Sequence, residues 1–252
     1  MSARVPSLSV FFPAYNDAPS LPSLLQKTFA VLPALADDYE VIVVNDGSRD
    51  DTPAILHRLG SQYGPRLRVV EHPENRGYGA ALRSGFAAAS KELVFYTDGD
   101  AQYDVAELPL LLEKLEPAVG LVNGFKLRRE DPWHRICIGY TYNLFARVLF
   151  SIRLRDIDCD FRLIRRELLQ TLDLESDTGT ICVELVRKIE LSAWRVVEVG
   201  VHHYPRLYGR SQFFRLPSLF RTFRQLIALY CKLVLPSLLG IGRRKPCERA
   251  LP

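Results

Sequence analysis

From Leu8 to about Phe125 the chain alternates short β-branched apolar runs with stretches in which apolar residues recur every three or four positions. Few folds accommodate that pattern. A period of two marks strands and a period of 3.6 marks helices. Exchange between them predicts βαβ units on a mostly parallel sheet with flanking helices, an α/β fold. The pattern predicts strands at Leu8–Pro13, Glu40–Asp46, Leu67–His72, Leu93–Asp98 and Gly120–Phe125, with helices at Leu21–Leu35, Thr52–Tyr63, Tyr78–Ala89 and Val105–Leu115 between them.

After Phe125 the alternation stops at a charged, Pro-terminated loop, Lys126–Pro132. Trp133–Leu154 then predicts an amphipathic helix with Ile138, Tyr142, Phe145, Leu149 and Ile152 on one side, followed by a helix at Cys182–Leu191 and a strand at Arg195–Val201. The segment Leu216–Gly242 is rich in Leu and Phe but is interrupted by Arg221, Arg224, Lys232 and Pro236. A spanning helix needs about 20 largely uninterrupted apolar residues, so this one is expected either to lie in a membrane interface or to pack on the core. The division expected is one domain over 1–215 and a basic amphipathic tail over 216–252.

With 252 residues, 48% of them hydrophobic, the chain can bury one sizeable core. Its net charge is only +4, but Arg215, Arg221, Arg224, Lys232, Arg243, Arg244 and Lys245 crowd its end. That cluster is either a solvated basic tail or a site for an anionic partner, for which membrane phospholipid or lipid phosphate fits better than nucleic acid. Five cysteines, odd in number and without C-x-x-C spacing, indicate neither a disulfide framework nor zinc and point to a reducing compartment. Met1–Pro6 lacks the charged and apolar regions of a secretory signal.

The chemistry gathers where strands end. Thr97-Asp98-Gly99-Asp100-Ala101-Gln102 follows the apolar run Leu93–Tyr96. Two carboxylates two positions apart can point to one side, and the Gln102 amide extends the row. Hard oxygen ligands suit Mg²⁺ or Mn²⁺ rather than zinc, although Asp and Gly also make ordinary solvated turns. Asp46 closes the second strand, where it could accept hydrogen bonds from a base or ribose, while Asp51 or Thr52 caps the next helix. Phe12-Pro13-Ala14-Tyr15-Asn16-Asp17 adds an aromatic ring and polar groups to the same rim. Asn75-Arg76-Gly77-Tyr78-Gly79-Ala80-Ala81 lacks the third glycine of a dinucleotide loop and is read as a helix start packed tightly on the sheet.

Together P-A-Y-N-D, V-N-D-G-S-R-D-D-T, N-R-G-Y-G-A-A-L, D-G-D-A-Q and H-Y-P-R-L-Y-G-R-S, running from Pro13 to about Ser211, resemble family-2 glycosyltransferases of the GT-A fold. The likeness is strongest to the dolichyl-phosphate mannose and polyprenyl-phosphate sugar synthases. It implies that Pro13, Tyr15, Asp17, Val44 and Asp46 hold the nucleoside, and that Asp98, Asp100 and Gln102 hold a Mg²⁺ or Mn²⁺ ion and the diphosphate. Gly99 would pass its backbone close to the sugar nucleotide, and Arg206, with Arg210 behind it, would reach the diphosphate. Lys126 would touch diphosphate or acceptor, and Arg135 and Asn143 would meet a lipid phosphate. Three departures stand out: Asp17 where Glu is usual, Gly139 where serine often helps bind the acceptor phosphate, and Asp156-Ile157-Asp158-Cys159-Asp160-Phe161-Arg162, which resembles the family's D-x-T-S-G-F-R but carries two extra acids. Those extra acids either alter sugar or acceptor preference or pair with Arg153, Arg155, Arg162 and Arg165.

The implied reaction is inverting transfer of a hexose from GDP-mannose or UDP-glucose to a polyprenyl phosphate, by a peripheral protein on the cytoplasmic side of a membrane. A phosphate monoester, with a second pKa of about 6, is largely ionised at neutral pH and needs no strong base. A sugar-hydroxyl acceptor would instead require an acid such as Asp158, Asp160 or Glu184 as base. A non-catalytic nucleotide-sugar-binding or membrane adaptor protein is the reading from another class, and intact Asp98, Asp100 and Gln102 weigh against it.

Overall fold

The computed structural model describes residues 4–129, 133–206, 208 and 216–238. Strands β1 (Val5–Ala14), β2 (Ala36–Asp46), β3 (Leu67–His72) and β4 (Leu93–Thr97) alternate with helices α1 (Leu21–Leu35), α2 (Thr52–Tyr63) and α3 (Tyr78–Ala88). The predicted helix Val105–Leu115 is shorter, a 3₁₀ turn at Val105–Glu107 followed by α4 (Leu108–Leu112), and leads into β5 (Val119–Arg129). Next come α5 (Trp133–Phe150), β6 (Phe161–Arg165), α6 (Arg166–Leu169), α7 (Thr180–Glu190), β7 (Arg195–His203), α8 (Leu216–Leu233) and α9 (Leu235–Leu238).

The seven strands form one sheet in the order β3-β2-β1-β4-β6-β5-β7. All neighbours are parallel except β6, which runs antiparallel between β4 and β5. Sequence reasoning missed β6. It is five residues long, and its buried members Phe161, Leu163 and Ile164 are mixed with the wholly buried cation Arg162, which broke the apolar run.

Alternation along β1 shows how both faces are covered. Leu8, Val10 and Phe12 join one apolar cluster with Leu21, Leu25 and Leu32 of α1, whereas Phe11 joins another with α3, α5, α7 and α8. Burial on both faces is what a parallel sheet requires. In α1 the buried residues Leu21, Leu24, Leu25, Thr28, Leu32 and Leu35 follow helical spacing. Its cap residue, Ser20, turns its hydroxyl away from the helix and donates to the Gly99 carbonyl at 2.8 Å.

Helix α5 stops at Phe150, earlier than the predicted Leu154, because Ser151 takes a left-handed conformation with φ of 53°. Its predicted apolar side is met in part. Tyr142, Leu149 and Ile152 pack on the core beside the buried Asn143, Ala146 and Phe150, whereas Ile138 and Phe145 point into solvent. No helix of the described residues is long and apolar enough to cross a membrane.

Candidate active site

The carboxyl ends of β1, β2 and β4 lie side by side, so the residues just beyond them converge on one edge of the sheet. Two ties hold that edge together. The Gly99 N–H donates to the Pro13 carbonyl at 3.1 Å, and a Cβ at position 99 would stand 2.8 Å from that oxygen, so only glycine allows the approach. Ala101, with φ of 59°, bends the chain so that the Gln102 N–H returns to Asp100 Oδ1 at 3.1 Å. A non-glycine residue in that conformation is strained, and such strain gathers at ligand sites.

Arg206 joins two other predicted site residues. Its Nη2 lies 3.1 Å from Asp100 Oδ2 and 3.5 Å from Asp17 Oδ1. Its segment is clamped to the acidic loop, since Gln102 Nε2 donates to the Tyr204 carbonyl at 3.0 Å and the Tyr204 N–H donates to the Gln102 carbonyl at 2.8 Å. The late basic motif is thereby brought to the strand ends, although 102 positions separate Tyr204 from Gln102. Arg210 lies outside the described residues, as do Arg215, Arg243, Arg244 and Lys245 of the basic tail, and of Arg135 only its backbone place on α5 is described.

The carboxylates are charged at a cost. Burial, followed by the charges of Asp160 and Asp100, pushes the Asp98 pKa well above the usual carboxylate range, although the Tyr78 hydroxyl donates to Asp98 Oδ1 at 2.8 Å. Burial also raises Asp100, with Arg206 opposing. Asp17 is pushed up to about 6, chiefly by burial and against a hydrogen bond from the Tyr15 N–H. Such a site favours a further positive charge. Two carboxylates and an amide oxygen suit a hard divalent cation whose remaining ligands come from a substrate's phosphates. Among the described residues no group of three or more His, Cys, Asp or Glu is gathered for a metal. Burial holds Cys159 at about 12 and Cys182 well above its ordinary value, so neither thiol is a ready nucleophile.

Other predicted residues are committed to neighbours. Asp46 accepts the N–H groups of Arg76 and Gly77, both at 2.9 Å, and its Oδ1 lies 2.6 Å from His72 Nδ1. It thereby fixes the loop that leads into α3. Val44 is wholly buried, and its side chain belongs to the core; only its backbone reaches the rim. Pro13 is buried beside it in register, and Tyr15 is half-buried at the edge.

Gly79 corrects an expectation. A Cβ there would stand 2.3 Å from the Ser176 carbonyl, so α3 starts against the 176–177 loop rather than against the sheet. That loop is held by Glu184, which accepts from the Ser176 N–H at 2.8 Å and from Lys188 Nζ at 2.6 Å.

Two strands along the same edge, the end of β5 meets α5 around a cavity of about 220 Å³. Lys126 Nζ lies 3.2 Å from Asp156 Oδ2, and Asn143 Nδ2 donates to Asp156 Oδ1 at 3.1 Å. Arg147, Arg155, Tyr140 and Leu144 complete much of the lining. Of the two extra acids, Asp160 lies 3.5 Å from Arg162 Nη1, as the pairing alternative anticipates; Asp156, the acid that the family pattern itself carries, pairs with Lys126. Asp160, offered by the sequence as a base for a hydroxyl acceptor or as an arginine partner, stands beside Asp98 because Phe161 pairs with Thr97.

The family described as Glycosyl transferase family 2 matches residues 9–173. Curated relatives include the undecaprenyl-phosphate 4-deoxy-4-formamido-L-arabinose transferases of Aeromonas hydrophila, 29% identical over 206 residues, and of Serratia proteamaculans, 29% identical over 209. These alignments take in 82% and 83% of this chain but only 62% and 63% of those proteins. Among solved structures, glucosyl-3-phosphoglycerate synthase from Mycobacterium tuberculosis with Mn²⁺, UDP and glucosyl-3-phosphoglycerate superposes with a TM-score of 0.69 at 22% identity, covering 95% of this chain and 82% of that one. The same protein with Mg²⁺ and UDP superposes at 0.66, with 22% identity and coverage of 95% and 81%. At that identity the likeness carries the fold alone.

Proposed function

The chain belongs to glycosyl transferase family 2 and has the GT-A fold its motifs led us to expect; from that premise we propose that it transfers one sugar from a nucleotide sugar to a polyprenyl phosphate at a membrane surface. The observation that carries this reading is the placement of two unlike sites on one sheet edge. Asp17, Asp100 and Arg206 meet at one, and a cavity lined by Arg147, Arg155, Tyr140 and Leu144 lies at the other. The first suits a metal-bound diphosphate, and the second suits an anion carried on an apolar chain.

Asp98, Asp100 and the Gln102 amide oxygen would hold Mg²⁺ or Mn²⁺, which when bound supplies charge neutralisation at the leaving diphosphate. Arg206 would exchange Asp17 and Asp100 for phosphate oxygens and stabilise the same developing charge. Asp17, Tyr15 and the backbone at Pro13 and Val44 would frame the nucleoside, with Asp46 shaping the rim from beneath. Arg147 and Arg155 would orient the acceptor phosphate, joined by Lys126 and Asn143 where they part from Asp156. The phosphate oxygen attacks the anomeric carbon from the face opposite the leaving group. Because that oxygen is already ionised, no general base is assigned.

Supporting this, Glu184, a candidate base for a hydroxyl acceptor, is spent on the 175–176 loop and Lys188, and Asp160 is paired with Arg162. The sugar is a hexose such as mannose or glucose in this proposal. The pentose-derived substrate in the names of the relatives makes the donor panel wider than GDP-mannose and UDP-glucose.

The test is transfer of radiolabel from a panel of nucleotide sugars into the organic phase with Mg²⁺ or Mn²⁺ and a polyprenyl phosphate. Transfer is expected for one donor and only with the lipid phosphate. Transfer to soluble hydroxyl acceptors without lipid, or binding without turnover for every donor and acceptor, would overturn it.

A further inference from the structure

Eight of the fourteen large apolar side chains that are exposed among the described residues lie on α5 and α8. Each helix buries one face and leaves a second apolar face in water. On α5, Ala146 and Phe150 are buried, while Tyr140, Phe145 and Val148 are 68%, 49% and 73% exposed. On α8, Thr222, Leu226 and Leu229 are buried, while Phe220, Phe223 and Ile227, at spacings of three and four, are 65%, 55% and 49% exposed. The buried faces belong to one cluster, and the Phe150 and Tyr230 rings meet edge-on at 6.0 Å. Both outer faces therefore look away from the sheet on the same side of the molecule.

An outer helix face in a globular protein is ordinarily polar, and a shared apolar face of this kind marks an interaction surface. Its charge selects the partner. Neither helix contains an Asp or Glu, whereas α5 carries Arg135 and Arg147 and α8 carries Arg221, Arg224 and Lys232. Arg221 and Lys232 lean on Asp177 and Glu175, and Arg224 is exposed. A second copy of the chain would bring like charges together across this face, whereas an anionic bilayer would complement them.

We propose that the outer faces of α5 and α8 together form a docking surface for an anionic lipid bilayer, with Phe145, Val148, Phe220, Phe223 and Ile227 entering the interface. The surface extends beyond the C-terminal tail, since α5 precedes it by some sixty-six positions counted from Phe150 to Leu216. It rests on the proposed reaction only in supplying a lipid acceptor from the plane on which the protein sits.

Sedimentation of the full chain with vesicles that contain no polyprenyl phosphate separates the two ideas, because it needs neither donor nor acceptor. Wild type is expected to bind phosphatidylcholine vesicles containing phosphatidylglycerol, and the triple variant Phe145→Ser, Val148→Ser, Phe223→Ser to lose on the order of tenfold or more in partitioning. Leu110→Ser, exposed on α4, should bind as wild type. A Val148→Trp variant should shift its emission to the blue with the same vesicles, relative to wild type, a readout that does not depend on the triple variant. Equal sedimentation of the triple variant, no binding by wild type, an emission from the Val148→Trp variant that vesicles leave unmoved, or a dimer in solution that the triple substitution dissolves would each overturn the proposal.

Discussion

Arg206 Nη2 stands 3.1 Å from Asp100 Oδ2, so a cation from the late part of the chain is held on an acid at the end of β4. Its Nε is buried without a hydrogen-bond partner among the described residues. The guanidinium thus has donor capacity beyond its two acids, as a diphosphate contact requires. Arg206→Ala is expected to lower kcat by about 10²–10³, and Arg206→Lys to recover part of it, since a point charge replaces a planar fork. Steady-state kinetics check this; an Ala variant with wild-type kcat would remove Arg206 from the mechanism.

Asp17 couples stability to binding. Its pKa is raised from 3.8 to about 6, so the unfolded chain releases this proton first as pH rises, and stability falls between those values and is level above them. Asp17→Asn should therefore be more stable at neutral pH, by about 1–2 kcal/mol of a ceiling of about 3 kcal/mol, and the gain should vanish at about pH 3. Its donor affinity should fall. Denaturant melts across this range, paired with nucleotide titration, decide it.

The order of elements up to β5 was legible, although β1, β2 and β5 each run three or four residues past a predicted end. Strand β3 and helices α1 and α2 begin and end at the predicted residues: the helices carry one clean apolar stripe each, and the edge strand β3 is a short β-branched run bounded by turns. Strand β6 was not legible, since Arg162 is buried against Asn123 Oδ1 at 2.7 Å and the hydroxyl of Tyr96, partners that only the fold supplies. In the site, the strand-end acids could be found because strand ends and turn residues are local signals. The grip of Asp156 on Lys126, and the nearness of Asp160 to Asp98, depend on antiparallel pairing that no spacing announces.

Two glycines should respond in opposite directions. Gly79→Ala places a methyl 2.3 Å from a backbone carbonyl and should cost about 1–3 kcal/mol or more. Gly60→Ala, in α2 with nothing within 4 Å, should gain about 0.5–1 kcal/mol from its helical propensity. Chemical denaturation of both variants tests the packing of α3 against the 176–177 loop; a neutral Gly79→Ala would contradict it.

Glu184 separates structure from catalysis. Burial raises its pKa, but Lys188 and Ser176 outweigh that and hold it below its ordinary 4.5. Its stabilisation is therefore present above that value and lost as pH falls through the folded pKa. Glu184→Gln should cost about 1.5–3 kcal/mol at neutral pH, with the difference shrinking in acid, and should leave kcat of the folded fraction near wild type. A collapse of kcat without loss of stability would reinstate Glu184 as a base.

The most direct measurement is titration of Mn²⁺ into the protein with and without UDP, followed by the loss of the free-ion electron paramagnetic resonance signal. Binding that strengthens with UDP and disappears in Asp100→Asn is the predicted result. Equal uptake by wild type and Asp100→Asn, or no uptake by the UDP-saturated wild type, would contradict the assignment of Asp98, Asp100 and Gln102 as the seat of the ion.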